Sequence, residues 1–154
     1  SSGQYITRWG RKGTDTCEFD SPWGITTDDQ GFVYVADRGH LRLQVFNLDG
    51  TFVRETFIQP GTLDGVGSVH KFGMSPDPEQ TFLYVVDGAN GLIHVLNRET
   101  LEEVQQIGGH KGHNAREFFH AHSFGIDSKS NIFIGEVNDG QRYYRWRFTG
   151  MVTP

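Results

Sequence analysis

The side chains best suited to chemistry in this chain of 154 residues are its seven histidines. They are His40, His70, His94, His110, His113, His120 and His122. A neutral imidazole ligates zinc and other borderline metals, but a site needs several rings converging from separate elements. A metal so held acts as a Lewis acid or lowers the pKa of bound water, provided a coordination position stays open and a base lies near. Three acids, Asp37, Asp87 and Glu136, each close an apolar run and are candidates for that base by position. They have an equally direct structural use. Asp37 and Glu136 precede Arg42 and Arg142 by five or six residues, a spacing that suits a hairpin salt bridge or a carboxylate capping a turn.

Distant histidines meet only if the fold brings them together, and the chain repeats itself in a way that would do so. Val33-Tyr34-Val35-Ala36-Asp37 recurs as Leu83-Tyr84-Val85-Val86-Asp87 and as Ile132-Phe133-Ile134-Gly135-Glu136, with a period of about 50 residues. Behind these runs come Arg42–Phe46, Leu92–Leu96 and Arg142–Trp146, alternating as half-buried strands do. Ahead of them lie Pro22-Trp23-Gly24-Ile25, Val69-His70-Lys71-Phe72 and Ala121-His122-Ser123-Phe124. A turn-rich insertion, Ser75-Pro76-Asp77-Pro78, separates the leading segment from the acidic run in the middle unit. A further strand reads Thr51–Phe57 in the first unit and Leu101–Ile107 in the second, and residues 3–9 match it at the chain start.

Four short strands per unit, joined by tight turns, specify an all-β chain in which each unit is one blade of a β-propeller. About three blades are expected, half of a six-bladed propeller, with blade 1 at about 19–57, blade 2 at about 66–107 and blade 3 at about 118–154. Residues 3–9 then belong to the outer strand of a neighbouring blade. Superposing the acidic strands, with the insertion removed, puts His70 and His122 at one blade position, which Trp23 fills in the first blade. Equivalent positions on leading strands converge on the propeller axis, so His70 and His122 are the candidate metal ligands, with His120 and Trp23 beside them in the channel. The plainer reading is a slot that tolerates large polar rings. His110 and His113 fall in a Gly-rich loop, Gly108–His113, and read as surface residues. Trp23, Trp146, Tyr143 and Tyr144 read as aromatics packed between blades rather than as a binding cage.

The pattern Phe19-x-x-Pro22-x-x-Ile25-x-x-Asp28-x-x-Gly31-x-Val33-Tyr34-Val35-Ala36-Asp37, followed by Arg42-x-Gln44-x-Phe46-x-x-x-Gly50, closely resembles the NHL repeat. That resemblance implies a blade whose first strand lines a central channel. Phe118-Phe119-His120-Ala121-His122-Ser123 also resembles an inner strand of peptidyl-hydroxyglycine amidating lyase, a propeller of the same kind. There a histidine at the place of His122 binds a channel zinc that helps cleave an N-alkylated hydroxyglycine. The chain departs from that family in two ways: His70 and His122 sit on adjacent rather than alternate blades, and Ala121 stands where proline is usual. The resemblance therefore implies a divalent metal, zinc first, at His122, and a metal-dependent lyase or hydrolase; the alternative is a non-catalytic propeller holding a protein, peptide or glycan.

Composition narrows the remaining classes. With 36% hydrophobic and 13% aromatic residues the chain can build a core, and 20 glycines punctuate it as all-β chains are punctuated. The net charge is −5 and the 14 Lys and Arg are scattered, which argues against nucleic acid as a partner. No apolar run is long enough to cross a bilayer. The start, Ser1-Ser2-Gly3, has no leader pattern, so an export signal is expected to be absent or removed, and the bacterial flavour of the resemblance points to a secreted or periplasmic setting. Cys17 is the single cysteine, so no internal disulfide forms. Three blades leave two sheet flanks to cover. They are expected either to associate head to tail as a homodimer or to join the other half of a longer chain, with a small molecule or peptide taken in the channel mouth.

Overall fold

The acidic strands are the spine of three antiparallel sheets. A computed structural model describes residues 3–65 and 67–150. A short parallel pair, β1 (Arg11–Lys12) with β2 (Glu18–Phe19), precedes the first sheet. That sheet has the order β3 (Pro22–Thr27), β4 (Phe32–Asp37), β5 (Arg42–Asn47), β6 (Phe52–Phe57). The second runs β7 (Lys71–Met74), β8 (Phe82–Asp87), β9 (Leu92–Asn97), β10 (Glu103–Gly108). The third has β11 (Ala121–Ile126), β12 (Ile132–Glu136) and β13 (Tyr143–Trp146). The order follows the chain in every sheet, which is the meander of a propeller blade. The fourth strand expected of blade 3 falls largely on residues 151–154, which lie outside the described residues. Residues 3–10 carry no strand among the described residues, and Trp9 packs against Phe46 with ring centroids 6.1 Å apart.

The second strand of blade 2 reads as an unbroken apolar run because sheets press on both of its faces. In β8, Leu83 and Val85 join Tyr34, Leu43 and Val45 in the core between blades 1 and 2. Tyr84 and Val86 turn the other way and meet Phe118, Ile132 and Ile134 in the core between blades 2 and 3. Each such side chain, fully buried, contributes about 1.5–3 kcal/mol. The remaining face of blade 1, with Val33, Val35 and Phe46, is covered in part by Trp9, Cys17 and Phe19.

The acid that ends each second strand ties its blade together. Asp37 accepts hydrogen bonds from Arg42 Nε (2.9 Å) and from the Asp20 backbone amide (2.8 Å). Glu136 repeats this with Arg142 Nε (2.8 Å) and the Phe119 amide (2.5 Å). Blade 2 has Leu92 where the others have arginine, and there Asp87 accepts from Asn90 and from the buried His94 (3.2 Å). These carboxylates are buried and committed to fixed donors, so each holds the turns of its blade.

The leading strands lie side by side, β7 touching β3 on one flank and β11 on the other. In β3 the pairing with β4 skips between Pro22 and Gly24, and in β11 the pairing with β12 skips between Ala121 and Ser123. The extra residues are Trp23 and His122. A bulge re-aims the side chain it carries, which takes these two rings out of the in-and-out alternation of their strands.

Candidate functional site

Register places three rings at one position of consecutive blades. Gly24, Lys71 and Ser123 oppose Ala36, Val86 and Gly135, so the residues just before them, Trp23, His70 and His122, are equivalent. The structure brings them together. The His70 and His122 ring centroids are 5.8 Å apart, nearly perpendicular, and Trp23 meets His122 edge-on at 6.2 Å. His120, two residues before His122, comes within 5.7 Å of His70. The four residues that sequence reasoning gathers at the axis are therefore neighbours in space.

Their environments differ. His70 is fully buried, its backbone amide donates to the Val86 carbonyl (2.9 Å), and its Nε2–H donates to the Gly67 carbonyl (3.1 Å). The other edge of its ring, Nδ1 and Cε1, lies against the backbone of Gly88, where a Cβ would come within 2.6 Å of both atoms. His120 is buried, and burial holds its pKa below the ordinary imidazole value, with the positive charges of Lys111 and Arg38 and the His122 ring acting in the same direction against Asp64. His122 is half-buried and Trp23 is 42% exposed. Trp23 is thus no blade-packing aromatic, in contrast to Trp146 and Tyr144, which pack on Phe118 at 6.0 and 5.3 Å. Tyr143, at 82% exposure, also lies outside the packing expected of it.

One member of the cluster is not legible in the sequence. Arg38, which follows the anchoring Asp37, lays its guanidinium over the Trp23 ring with Cζ 4.0 Å from the centroid. Its backbone is fixed by a 3-10 turn, Arg38–His40, and by a hydrogen bond from its amide to the Ser21 carbonyl. Only the register of Trp23 with the two histidines hints that a partner should be sought at the next turn. At the same rim Lys111 pairs with Asp64 (3.2 Å). His110 and His113 are exposed, as expected of the Gly-rich loop, and His113 stacks on Phe119 at 4.5 Å.

Chemically the cluster offers imidazole nitrogens, a guanidinium and an aromatic face around one opening. Among the described residues no group of three or more His, Cys, Asp or Glu side chains is arranged to hold a metal ion. His70 as placed gives one nitrogen to Gly67 and turns the other toward the Gly88 backbone, so the three imidazoles do not share a coordination point. Among the described residues no helix is long and apolar enough to cross a membrane.

Comparison with known proteins agrees with the blade reading. Residues 19–46 match the model of the NHL repeat. The E3 ubiquitin-protein ligase TRIM32 of Homo sapiens is 33% identical over 107 residues, which is 69% of this chain and 16% of that protein. Protein lin-41 of Caenorhabditis elegans is 44% identical over 48 residues, 31% of this chain and 4% of that protein. Among solved structures, a functionally unknown protein from Desulfotomaculum acetoxidans superposes with a TM-score of 0.62 at 16% identity, covering 88% of this chain and 42% of that one. Virginiamycin B lyase from Staphylococcus aureus does so with a TM-score of 0.55 at 18% identity, covering 84% and 42%. The chain spans a small fraction of those curated relatives and about two fifths of those structures, whose low identity speaks to fold alone. Three blades in chain order and a matching repeat over the first of them show a β-propeller fold that carries an NHL repeat.

Proposed function

We propose that the chain is a binding module in which the opening beside Trp23, Arg38 and His122 takes a peptide or small molecule, without catalysis. The observation that carries this reading is the half-open cluster itself: an exposed tryptophan, an arginine stacked on it and a half-buried histidine on rigid strand ends, next to acids already consumed by structural bonds. Pre-organised aromatic and cationic groups suit ligand capture. The ligase names of the TRIM-type relatives support a role in engaging other proteins. Selection of peptides against the chain tests it. Selected peptides should lose affinity on Trp23→Ala and keep it on Val53→Ser, a change on the far outer strand; selection that ignores Trp23 overturns the reading.

A second reading rests on the 5.7 and 5.8 Å approaches of His120 and His122 to His70. In it these imidazoles hold a divalent metal, zinc first, once His70 turns its Nδ1 off Gly88, and the metal supplies Lewis acidity for a lyase or hydrolase reaction. Elemental analysis of the wild-type chain and of His70→Ala/His122→Ala separates the two readings. A mass in solution from the same sample tests a third proposal. In it the exposed flank residues, Ile25 at 67% on blade 1 and Tyr143 at 82% on blade 3, accept further blades from a second copy or from a longer chain.

A further inference from the structure

We infer that Arg38, whose Cζ lies 4.0 Å over the Trp23 ring beside His122, is a carboxylate receptor, and that the ligand of the opening is a peptide presenting an acidic group. The inference rests on the binding-module reading and names its ligand class. Three structural arginines find carboxylates within the chain, Arg42 with Asp37, Arg98 with Asp28 and Arg142 with Glu136, while the part-buried Arg54 spends its Nη2 on the Tyr34 hydroxyl and the Arg98 carbonyl. The Arg38 guanidinium pairs with no carboxylate among the described residues, and its side-chain partner is the tryptophan face. Asp37, next to it in sequence, is saturated by Arg42, His40 and the Asp20 amide. Asp20 lies by Gly39 and Asp64 is bound to Lys111, so both rim acids are directed elsewhere.

Stacking fixes the plane of a guanidinium and leaves its edge of paired N–H groups for a ligand, and that fork matches the two oxygens of a carboxylate. The charge count selects among anions. One free guanidinium beside imidazoles fits a singly charged carboxylate; a nucleic-acid strand needs an array of cations along its phosphates, which the scattered Lys and Arg do not provide. The exposed tryptophan face adds apolar contact for the residue that carries the acid, and the His122 ring lies edge-on to that tryptophan at 6.2 Å.

The test is a titration of the 154-residue chain, read by fluorescence anisotropy, with three labelled probes: tetraglutamate amide, tetraglutamine amide, and tetraglutamine with a free C-terminal carboxylate. Probes that carry a carboxylate should bind about tenfold or more tightly than tetraglutamine amide. The first and third distinguish a side-chain acid from a chain end. Arg38→Gln should erase the preference. Arg38→Lys, which keeps the charge without the fork, should lose most of it, and Arg145→Gln on the outer flank should change nothing. Equal binding of all three probes to the wild-type chain, failure of every acidic probe to bind, or an acid preference that survives Arg38→Gln overturns the inference. If the probes bind equally and Trp23→Ala weakens all of them, the opening is still a binding site and only its selectivity falls. If Trp23→Ala affects none of them, the binding-module reading falls as well.

Discussion

Arg98, just beyond the third strand of blade 2, crosses to blade 1 and donates from Nη1 to Asp28 Oδ2 at 2.7 Å, with both side chains buried. Asp28 caps its own turn by accepting from the Gln30 and Phe32 amides through Oδ1 and takes the Tyr34 hydroxyl on Oδ2. Arg98 spends its remaining donors on the Gln80 and Glu79 carbonyls. The pair therefore locks a turn of one blade to a turn of the next.

Removing one partner of such a pair strands the other in a dry site. Arg98→Ala is expected to destabilise the chain by about 3–5 kcal/mol. Lys111→Ala, which breaks a pair exposed to water at both ends, should cost no more than about 1 kcal/mol. Urea unfolding of the two variants checks the contrast; equal losses would show that the Arg98 bridge is not a structural lock.

His94 gives blade 2 a stability that depends on a protonated ring. Burial alone would lower its pKa, but hydrogen bonds to Asp87 (3.2 Å) and Glu103 (2.5 Å) outweigh that penalty and raise it above the ordinary 6.5. A raised folded-state value means that the charged ring stabilises the fold fully below pH 6.5, and that this stability is lost as the pH climbs through the folded-state pKa. Blade 1 carries Gln44 at the same register, with Arg42 bonded to Asp37 beside it. His94→Gln should therefore flatten the dependence of the urea midpoint on pH above 6.5. His120 should show the opposite behaviour: burial lowers its pKa, so the fold loses stability as the pH drops below 6.5. Histidine resonances followed by NMR should place His94 above and His120 below that value.

The blades are legible in the sequence because period, strand alternation and turn residues agree, and register can be read from the acids alone. Trp23, His70 and His122 align correctly for the same reason: the bulge adds one residue at an equivalent point in blades 1 and 3 and so leaves the alignment undisturbed. What the sequence does not carry is ring direction. His70 and His122 share a position, yet His70 is sealed against Gly88 while His122 stays half-open, because the residue after the blade acid is Gly88 in blade 2 and Val137 in blade 3. The stacking of Arg38 on Trp23 is hidden likewise, since it depends on how a turn and a bulge on different strands approach each other. The His94 bridge escapes sequence reasoning because its partners Asp87 and Glu103 lie on strands to either side, at separations that no local motif marks.

Gly88 is expected to tolerate no side chain. A Cβ there would stand 2.6 Å from the His70 ring and 2.6 Å from the Ala121 carbonyl oxygen, and the carbonyl belongs to a strand that cannot swing aside. Gly88→Ala should cost about 1–3 kcal/mol and shift the His70 resonances more than those of His40. Unchanged His70 signals would mean that the ring is not packed on this backbone.

Phe118 and Phe19 occupy matching places before the leading strands of blades 3 and 1, and they differ in what covers them. Phe118 is fully buried between blades 2 and 3, edge-on to Tyr144 and close to Trp146. Phe19 touches Phe46 at 5.9 Å on the outer flank of blade 1 and remains partly exposed. Phe118→Ala removes a ring from a closed core and should cost about 3–5 kcal/mol, whereas Phe19→Ala removes one already half in water and should cost clearly less. Unfolding of both variants at increasing protein concentration sharpens the comparison. If a second copy or further blades seal the outer flank, the Phe19→Ala penalty should grow with concentration toward that of Phe118→Ala, because the same ring then becomes part of a dry interface.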